Sequence, residues 1–216
     1  MIKRVFDLAA SSAGLIVFSP VSLIFAALIK LEDGGPVFYR GVRVGRNGRP
    51  FRIFKFRTMV RDAETVGGSS TSGDDSRITR VGRFLRRYKL DELPQLLNVL
   101  WGDMSMVGPR PQVPWAVAGY SETERELLKL RPGITDYASL RFHNEGEILR
   151  GTPDPDATYM EKIHPEKMRL ALRYAREQSF LLDCKILVWT LLTICGAKPF
   201  AGESADRSDI PRSQTS

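Results

Sequence analysis

Apolar residues run almost unbroken from Leu8 to Ile29, and no charged residue falls inside that stretch. As one helix it would be roughly 33 Å long, enough to cross a hydrocarbon core of about 30 Å. Ser19-Pro20 sits at its midpoint. Proline removes a backbone hydrogen bond and kinks a helix, and a neighbouring serine hydroxyl can serve the carbonyl that is freed. Each half would then be about 16 Å long, roughly half the core thickness. Lys3 and Arg4 flank one end, while Arg40, Arg43, Arg46 and Arg49 follow the other. The positive-inside rule asks for both flanks in the cytoplasm. A straight transmembrane anchor fits the length. The proline and the charges favour a re-entrant helix over residues 1–33, broken at Ser19 and Pro20, that enters one leaflet and returns. A signal peptide fits poorly, because Lys30-Leu31-Glu32-Asp33 is an unfavourable cleavage context.

The pattern then changes period. Val37-Phe38-Tyr39 and Val42-Arg43-Val44 read as strands, Asn47-Gly48 as a tight turn, and Phe51 to Phe56 as the return. Val66 to Ser76, rich in Gly, Ser and Asp, reads as a mobile loop. From Arg77 to Lys89 a helical pattern places Ile78, Val81, Phe84, Leu85 and Tyr88 on one stripe and Arg77, Arg80, Arg83 and Arg87 on another. Such a helix suits an anionic membrane surface, and equally a solvated face over a soluble core. Trp101 to Pro114 reads as an ordered loop. Ser121-Glu122-Thr123-Glu124 is a capping box opening a helix that Arg131-Pro132-Gly133 ends. His164-Pro165-Glu166 opens another, to about Gln178. Phe180 to Cys195 is apolar but short, and it carries Asp183 and Lys185, so it should pack on the core or lie in the interface. Residues 197–216 are polar and aperiodic, as in a disordered tail.

With 216 residues, the chain fits one domain with a membrane element attached. Its net charge of +7 and pI near 9.6 point to anionic partners: nucleic acid, phosphorylated small molecules or acidic lipid. Two cysteines, Cys184 and Cys195, make no disulfide framework, and His143 and His164 make no zinc site. The fold class is mixed α/β, mainly helical, with a small β-hairpin.

The chemistry concentrates in Leu90-Asp91-Glu92-Leu93-Pro94-Gln95. Pro94 suits the first turn of a helix, so Asp91 and Glu92 would sit at or just before its positive end. Arg83, Arg86, Arg87 and Lys89 lie upstream. Both influences favour ionised carboxylates. A charged aspartate can attack phosphorus, and its neighbour can hold a divalent cation. A bare Asp-Glu pair can equally be an acidic cap, so the surroundings decide.

Those surroundings resemble the small monotopic phosphoglycosyl transferases, the bacterial sugar transferase family. The resemblance rests on Ser19-Pro20, Lys55-Phe56-Arg57-Thr58-Met59, Asp75-Ser76-Arg77-Ile78-Thr79, Asp91-Glu92-Leu93-Pro94-Gln95 and Gly102-Asp103-Met104-Ser105-Met106-Val107-Gly108-Pro109-Arg110-Pro111, from about Ile2 to Cys195. It implies transfer of a sugar-1-phosphate from a UDP-sugar to polyprenyl (undecaprenyl) phosphate, with release of UMP. Asp91 would be the nucleophile of a covalent phosphosugar intermediate, and Glu92 would help bind Mg²⁺. The expected plan is a membrane helix at 1–33, a catalytic domain with interfacial helices at 34–196 and the tail at 197–216, on the cytoplasmic face of the bacterial inner membrane. Larger relatives carry additional transmembrane helices, so this chain resembles the minimal catalytic unit. A homodimer is compatible with the sequence, which does not fix oligomeric state.

A diphosphate ester repels an anionic nucleophile until cations neutralise its oxygens. Arginine forks match phosphate oxygens, so Lys55, Arg57, Arg86 and Arg110 are the expected phosphate and nucleotide contacts. Arg110 stands between two prolines that restrict its backbone, although Pro-Arg-Pro is also a plain structural turn. Many relatives have Thr-Gly-Trp-Ala-Gln where this chain has Thr135-Asp136-Tyr137-Ala138-Ser139, and Gly-Arg-Asn where it has Phe142-His143-Asn144. His143 and Glu145 are therefore expected sugar contacts. The competing readings are a membrane-anchored basic nucleic-acid-binding module and a non-catalytic scaffold of a glycan assembly complex. No DNA or RNA motif is recognised, so no nucleic-acid partner is expected.

Overall fold

The computed structural model describes residues 1–66, 68 and 70–197. The expected tail therefore lies outside the described residues from position 198 onward.

Helix α1 runs uninterrupted from Ile2 to Asp33 with Pro20 inside it. The expected break is thus not seen as a gap in the helix. The local effect of the proline on the hydrogen bonding is visible. A residue at position 20 would normally donate its N–H to the carbonyl four residues back. Proline cannot, and Ser19 Oγ donates to that Ile16 carbonyl instead, at 2.8 Å.

The polarity of α1 is inverted relative to a soluble helix. Asp7 and Ser11 are buried against the domain, while Ile16, Val17, Leu23 and Leu31 are more than 65 % exposed. Its most apolar window has a mean hydropathy of 2.2. An exposed apolar face of this size fits an apolar partner, and the helix is long and apolar enough to cross a membrane.

Both ends of α1 are fastened to the same domain. Near the N-terminus, Arg4 donates to the carbonyls of Val99 (2.6 Å) and Leu100 (2.9 Å), and Lys3 to Val107 (2.9 Å) and to Asp183. Asp7 accepts from Ser105 Oγ (3.0 Å) and the Met106 N–H (2.9 Å). At the other end Ile29 packs with Phe56 and Leu85, and Glu32 accepts from the Arg80 N–H at 2.9 Å. Asp33 receives a two-pronged bond from Arg57.

The predicted hairpin is present. Strands β1 (Phe38–Tyr39) and β4 (Lys55–Phe56) pair antiparallel, and β2 (Val42–Val44) and β3 (Pro50–Arg52) continue the ribbon in the same register toward Asn47. Asn47 adopts the left-handed conformation that such turns need (φ 58°). Helix α2 (Arg80–Arg87) is capped by Thr79, which accepts from the Gly82 N–H. It begins later than the arginine pattern suggests, because Arg77 is tied to Asp75 ahead of it.

Helix α3 (Gln95–Trp101) follows. The expected loop from Trp101 to Pro114 contains a strand instead: β5 (Ser105–Val107) pairs parallel with β6 (Gly133–Thr135). Glycine and proline on both sides conceal so short a pair. The two backbones approach so closely that a Cβ on Gly133 would lie 2.0 Å from the Gly108 nitrogen. Short helix α4 (Tyr137–Arg141) follows β6 directly, and α5 (His164–Glu177) and α6 (Phe180–Ile194) complete the main core. That core holds Val107, Tyr137, Leu140, Leu170, Tyr174 and Ile186. On α6, Asp183 turns inward to Tyr174 Oη (2.7 Å) and Lys3, while Leu181, Val188 and Leu191 are more than half exposed. Of the two expected placements, packing on the core is seen: Ile186 lies in it, with Leu182 and Leu187 against it.

Candidate active site

Asp91 and Glu92 lie on a single 3-10 turn, Leu90–Glu92, just before α3. The residue ahead of the turn, Lys89, adopts the left-handed region (φ 57°), unusual outside glycine. This reversal brings both carboxylates against β4. The turn is fixed from behind by Asn98, fully buried on α3, whose side chain accepts from the Phe54 N–H (2.8 Å) and donates to the Arg52 carbonyl (2.9 Å). Asn98 thereby locks α3 to the hairpin that carries Lys55.

Glu92 is the hub. Its Oε1 accepts from Lys55 Nζ at 2.8 Å and from Arg110 Nη2 at 2.5 Å, and Oε2 lies 3.4 Å from Arg110 Nη1. Burial opposes its charge, but Arg110 and Lys55 hold its carboxyl well below the usual glutamate range. Asp91 behaves in the opposite way. It is buried, and its Oδ1 has no hydrogen-bond partner among the described residues. Burial, then the neighbouring Glu92 charge, push its carboxyl above the usual range against the pull of Lys55, Arg86 and Lys89. The sequence expectation that arginines and a helix end favour both ionised forms therefore holds for Glu92 only. It left out the two influences that prevail at Asp91, burial and the adjacent like charge.

The four expected phosphate contacts separate into two groups. Lys55 and Arg110 meet at Glu92. Arg86, largely desolvated, donates from Nε to Thr58 Oγ1 at 2.8 Å, and its charge acts on Asp91. Arg57 lies apart from them. It is buried and engaged with Asp33, where it fastens the end of α1 to the domain. Ser19 lies on α1 and lines a small cavity with Phe56, Leu93 and Pro94, the last two directly after the acidic turn.

A cavity of about 460 Å³ extends from Glu92 and Arg110 past Asp136, Glu145 and Lys167 to Phe18 on α1 and Leu191 on α6. It joins the charged turn to the two helices whose apolar faces point outward. His143 is exposed at its rim, with Nδ1 3.2 Å from the Leu140 carbonyl. Glu145 lines the cavity and is paired with Lys167. Sequence reasoning missed Lys167. The signal was a lysine on the stripe it shares with Leu170, Ala171 and Tyr174, all buried. It also passed over Asp136 as a binding group; that residue is 1 % exposed, and burial pushes its carboxyl up.

Among the described residues no cluster of three His, Cys, Asp or Glu side chains forms a metal cage. Mg²⁺ characteristically takes one or two carboxylates and completes its shell with substrate phosphates and water. Glu92 Oε2, which Arg110 Nη1 approaches only to 3.4 Å, fits that donor set.

The arrangement offers a buried, unpartnered carboxylate oxygen, an anchored acidic neighbour, and three cations within its field. It is suited to attack on a polyanionic phosphorus centre. Comparison with known proteins agrees in kind. The model of the family described as "Bacterial sugar transferase" matches residues 1–197. The "Uncharacterized sugar transferase EpsL" of Bacillus subtilis (strain 168) is 38% identical over 88% of this chain and 86% of its own length. The "UDP-glucose:undecaprenyl-phosphate glucose-1-phosphate transferase" of Escherichia coli (strain K12) is 39% identical over 88% of this chain. The "UDP-N-acetylgalactosamine-undecaprenyl-phosphate N-acetylgalactosaminephosphotransferase" of Aeromonas hydrophila is 38% identical over 89% of this chain. The matched region spans only 39% and 43% of those last two proteins.

Proposed function

Since the chain belongs to the bacterial sugar transferase family, we propose that it moves a sugar-1-phosphate from a UDP-sugar to undecaprenyl phosphate by way of a covalent aspartyl-phosphosugar. The observation that carries the reading is the buried Asp91 Oδ1, without a partner and next to a Glu92 held by Lys55 and Arg110. In the first displacement an Asp91 oxygen bonds to the sugar-bearing phosphorus, and the bond from that phosphorus to the bridging oxygen breaks, releasing UMP. In the second, an oxygen of the lipid phosphate attacks the same phosphorus and the Asp91 carboxylate leaves. Carboxylate catalysis splits one hard transfer into two easier ones at a single site. Mg²⁺, held by Glu92 together with donor phosphates, would neutralise phosphate charge. Lys55, Arg86 and Arg110 hold the remaining negative charge in place.

The membrane reading is re-entrant: α1 enters one leaflet from the cytoplasmic face and returns. Two features support it. Lys3 and Asp33, near opposite ends of α1, both bond to the same folded domain. The Ser19 hydroxyl also serves the carbonyl that Pro20 leaves without a donor, a substitution that lets a helix bend without an unpaired polar group in lipid. The cavity running between the charged turn and the apolar faces of α1 and α6 suits a soluble donor and a lipid acceptor meeting at one carboxylate. Nothing in the comparisons favours a nucleic-acid module or a scaffold without activity. The test is UMP release from a panel of UDP-sugars with undecaprenyl phosphate and Mg²⁺. Activity in the wild type and its loss in Asp91→Asn are expected; no release with any donor would overturn the reading.

A further inference from the structure

The first two turns of α1 hold the charged residues Lys3, Arg4 and Asp7, and each bonds to an element that leads to the Glu92–Arg110 pair. Arg4 donates to the carbonyls of Val99 and Leu100 near the end of α3, the helix that the acidic turn opens. Asp7 is 2 % exposed. One of its oxygens accepts from both Ser105 Oγ (3.0 Å) and the Met106 N–H (2.9 Å) of β5. Lys3 donates to the Val107 carbonyl at 2.9 Å, at the end of the same strand. Arg110 follows three residues later.

Between β5 and Arg110 the chain has little slack. The Gly108 N–H donates to the Thr135 carbonyl (3.0 Å), and the Pro109 carbonyl accepts from the Gly133 N–H (3.0 Å). A Cβ on Gly108 would lie 2.4 Å from the Arg131 carbonyl, so this segment is already pressed against the chain that enters β6. Pro109 and Pro111 restrict the backbone on either side of Arg110. A shift of β5 is therefore passed on to the guanidinium that meets Glu92 Oε1 at 2.5 Å. Burying a carboxylate is costly, and apolar contact alone would hold α1 to the domain. Directional bonds to a hydroxyl and a backbone N–H add something that contact does not, a single register.

We infer that Asp7 is a positioning residue for the active site: through β5 it sets where Arg110 meets Glu92. Arg4, on the same turns of α1, fixes the end of α3, whose other end carries the acidic turn. The start of the membrane helix is thereby the common brace of the two elements that hold the charged pair together. The inference rests on the transferase reading of that pair.

The test is a double-mutant cycle on the full-length protein in membrane vesicles, reading kcat/KM for UMP release. Asp7→Ala is made in the wild type, in Arg110→Gln and in Arg86→Gln. Asp7→Asn keeps an oxygen for both donors. In the wild type, Asp7→Ala is expected to cost about tenfold and Asp7→Asn about threefold or less. In Arg110→Gln the cost of Asp7→Ala should fall to about twofold or less, because the group it positions is gone, whereas in Arg86→Gln it should stay near tenfold. If Arg110→Gln is too slow to measure, Arg110→Lys takes its place. If thermal unfolding shows that Asp7→Ala does not fold, Ser105→Ala, which removes one of the two donors to Asp7, is carried through the same cycle. Loss of folding or of membrane insertion would cost the same in every background, and that result would overturn the inference. No cost in the wild type, or Asp7→Asn as poor as Asp7→Ala, would overturn it too. Absence of turnover in the wild type with any donor would instead overturn the transferase reading, and this inference with it.

Discussion

Asp91 and Glu92 are consecutive residues on one 3-10 turn, yet their surroundings drive them in opposite directions. Glu92 is held ionised by Arg110 and Lys55, whereas burial and the Glu92 charge itself push Asp91 upward. A pair of carboxyl groups separated in this way has its roles assigned by environment: one is fixed as an anchor and the other is left reactive.

The first consequence is a trade between stability and activity at Asp91. A carboxyl whose folded pKa is raised weakens the fold once pH exceeds its unfolded value, because the unfolded chain ionises more readily. Asp91→Asn removes that penalty with little change of shape. The variant should lose at least about a hundredfold in turnover. Its Tm at pH 7 should rise by about 2–4 °C, the shift that roughly 1 kcal/mol produces in a chain of this size. Differential scanning fluorimetry alongside the UMP assay reads both; a Tm that falls would mean the buried carboxylate is a structural partner.

The second concerns pH. An attacking carboxylate must be deprotonated, so activity should fall on the acid side through the raised pKa of Asp91, above the ordinary aspartate value of 3.8. Arg86 is one of the charges pulling that value down. Removing it in Arg86→Gln, which keeps a donor for Thr58, should move the acid limb to higher pH. A kcat/KM profile between pH 4 and 8 checks the direction. A limb that shifts to lower pH, or not at all, would contradict the assigned field.

The third separates anchoring from substrate binding at Arg57. Asp33→Asn weakens the two-pronged bond that ties the end of α1 to β4 and its neighbours. It should lower Tm by about 3–6 °C, for roughly 1–2 kcal/mol lost when a partly solvated ion pair is broken beside a buried guanidinium. The KM for the donor should not change. A raised KM with unaltered Tm would return Arg57 to the phosphate-binding set.

The fourth tests the membrane geometry. With Cys184 and Cys195 replaced by serine, single cysteines at positions 2 and 34 should both react with an impermeant reagent from the same side of sealed vesicles. Labelling from opposite sides would turn α1 into a spanning helix.

Much of this site was legible in the sequence where local chemistry decides the outcome. Asn47-Gly48 specifies its own turn, Ser121 and Glu124 form the capping box that their spacing implies, and Pro94 marks where α3 begins. The Asp-Glu pair lies where that proline puts it. Features that depend on distant partners were not legible. Whether Arg57 meets a phosphate or Asp33 depends on how α1 docks. The direction of the Asp91 shift depends on burial, which no local pattern reports. The β5–β6 pair joins three-residue segments far apart in the chain, too short to show a period. Asp136 departs from a familiar motif in the sequence; only the fold shows that it is buried at the cavity wall.

The most direct test of the central claim is to incubate the enzyme with the UDP-sugar it uses, without lipid acceptor, and record the intact mass. The expected result is added mass equal to one sugar phosphate, carried on the peptide containing Asp91, discharged by undecaprenyl phosphate and absent from Asp91→Asn. Steady turnover in the complete assay with no such adduct under these conditions would contradict the account.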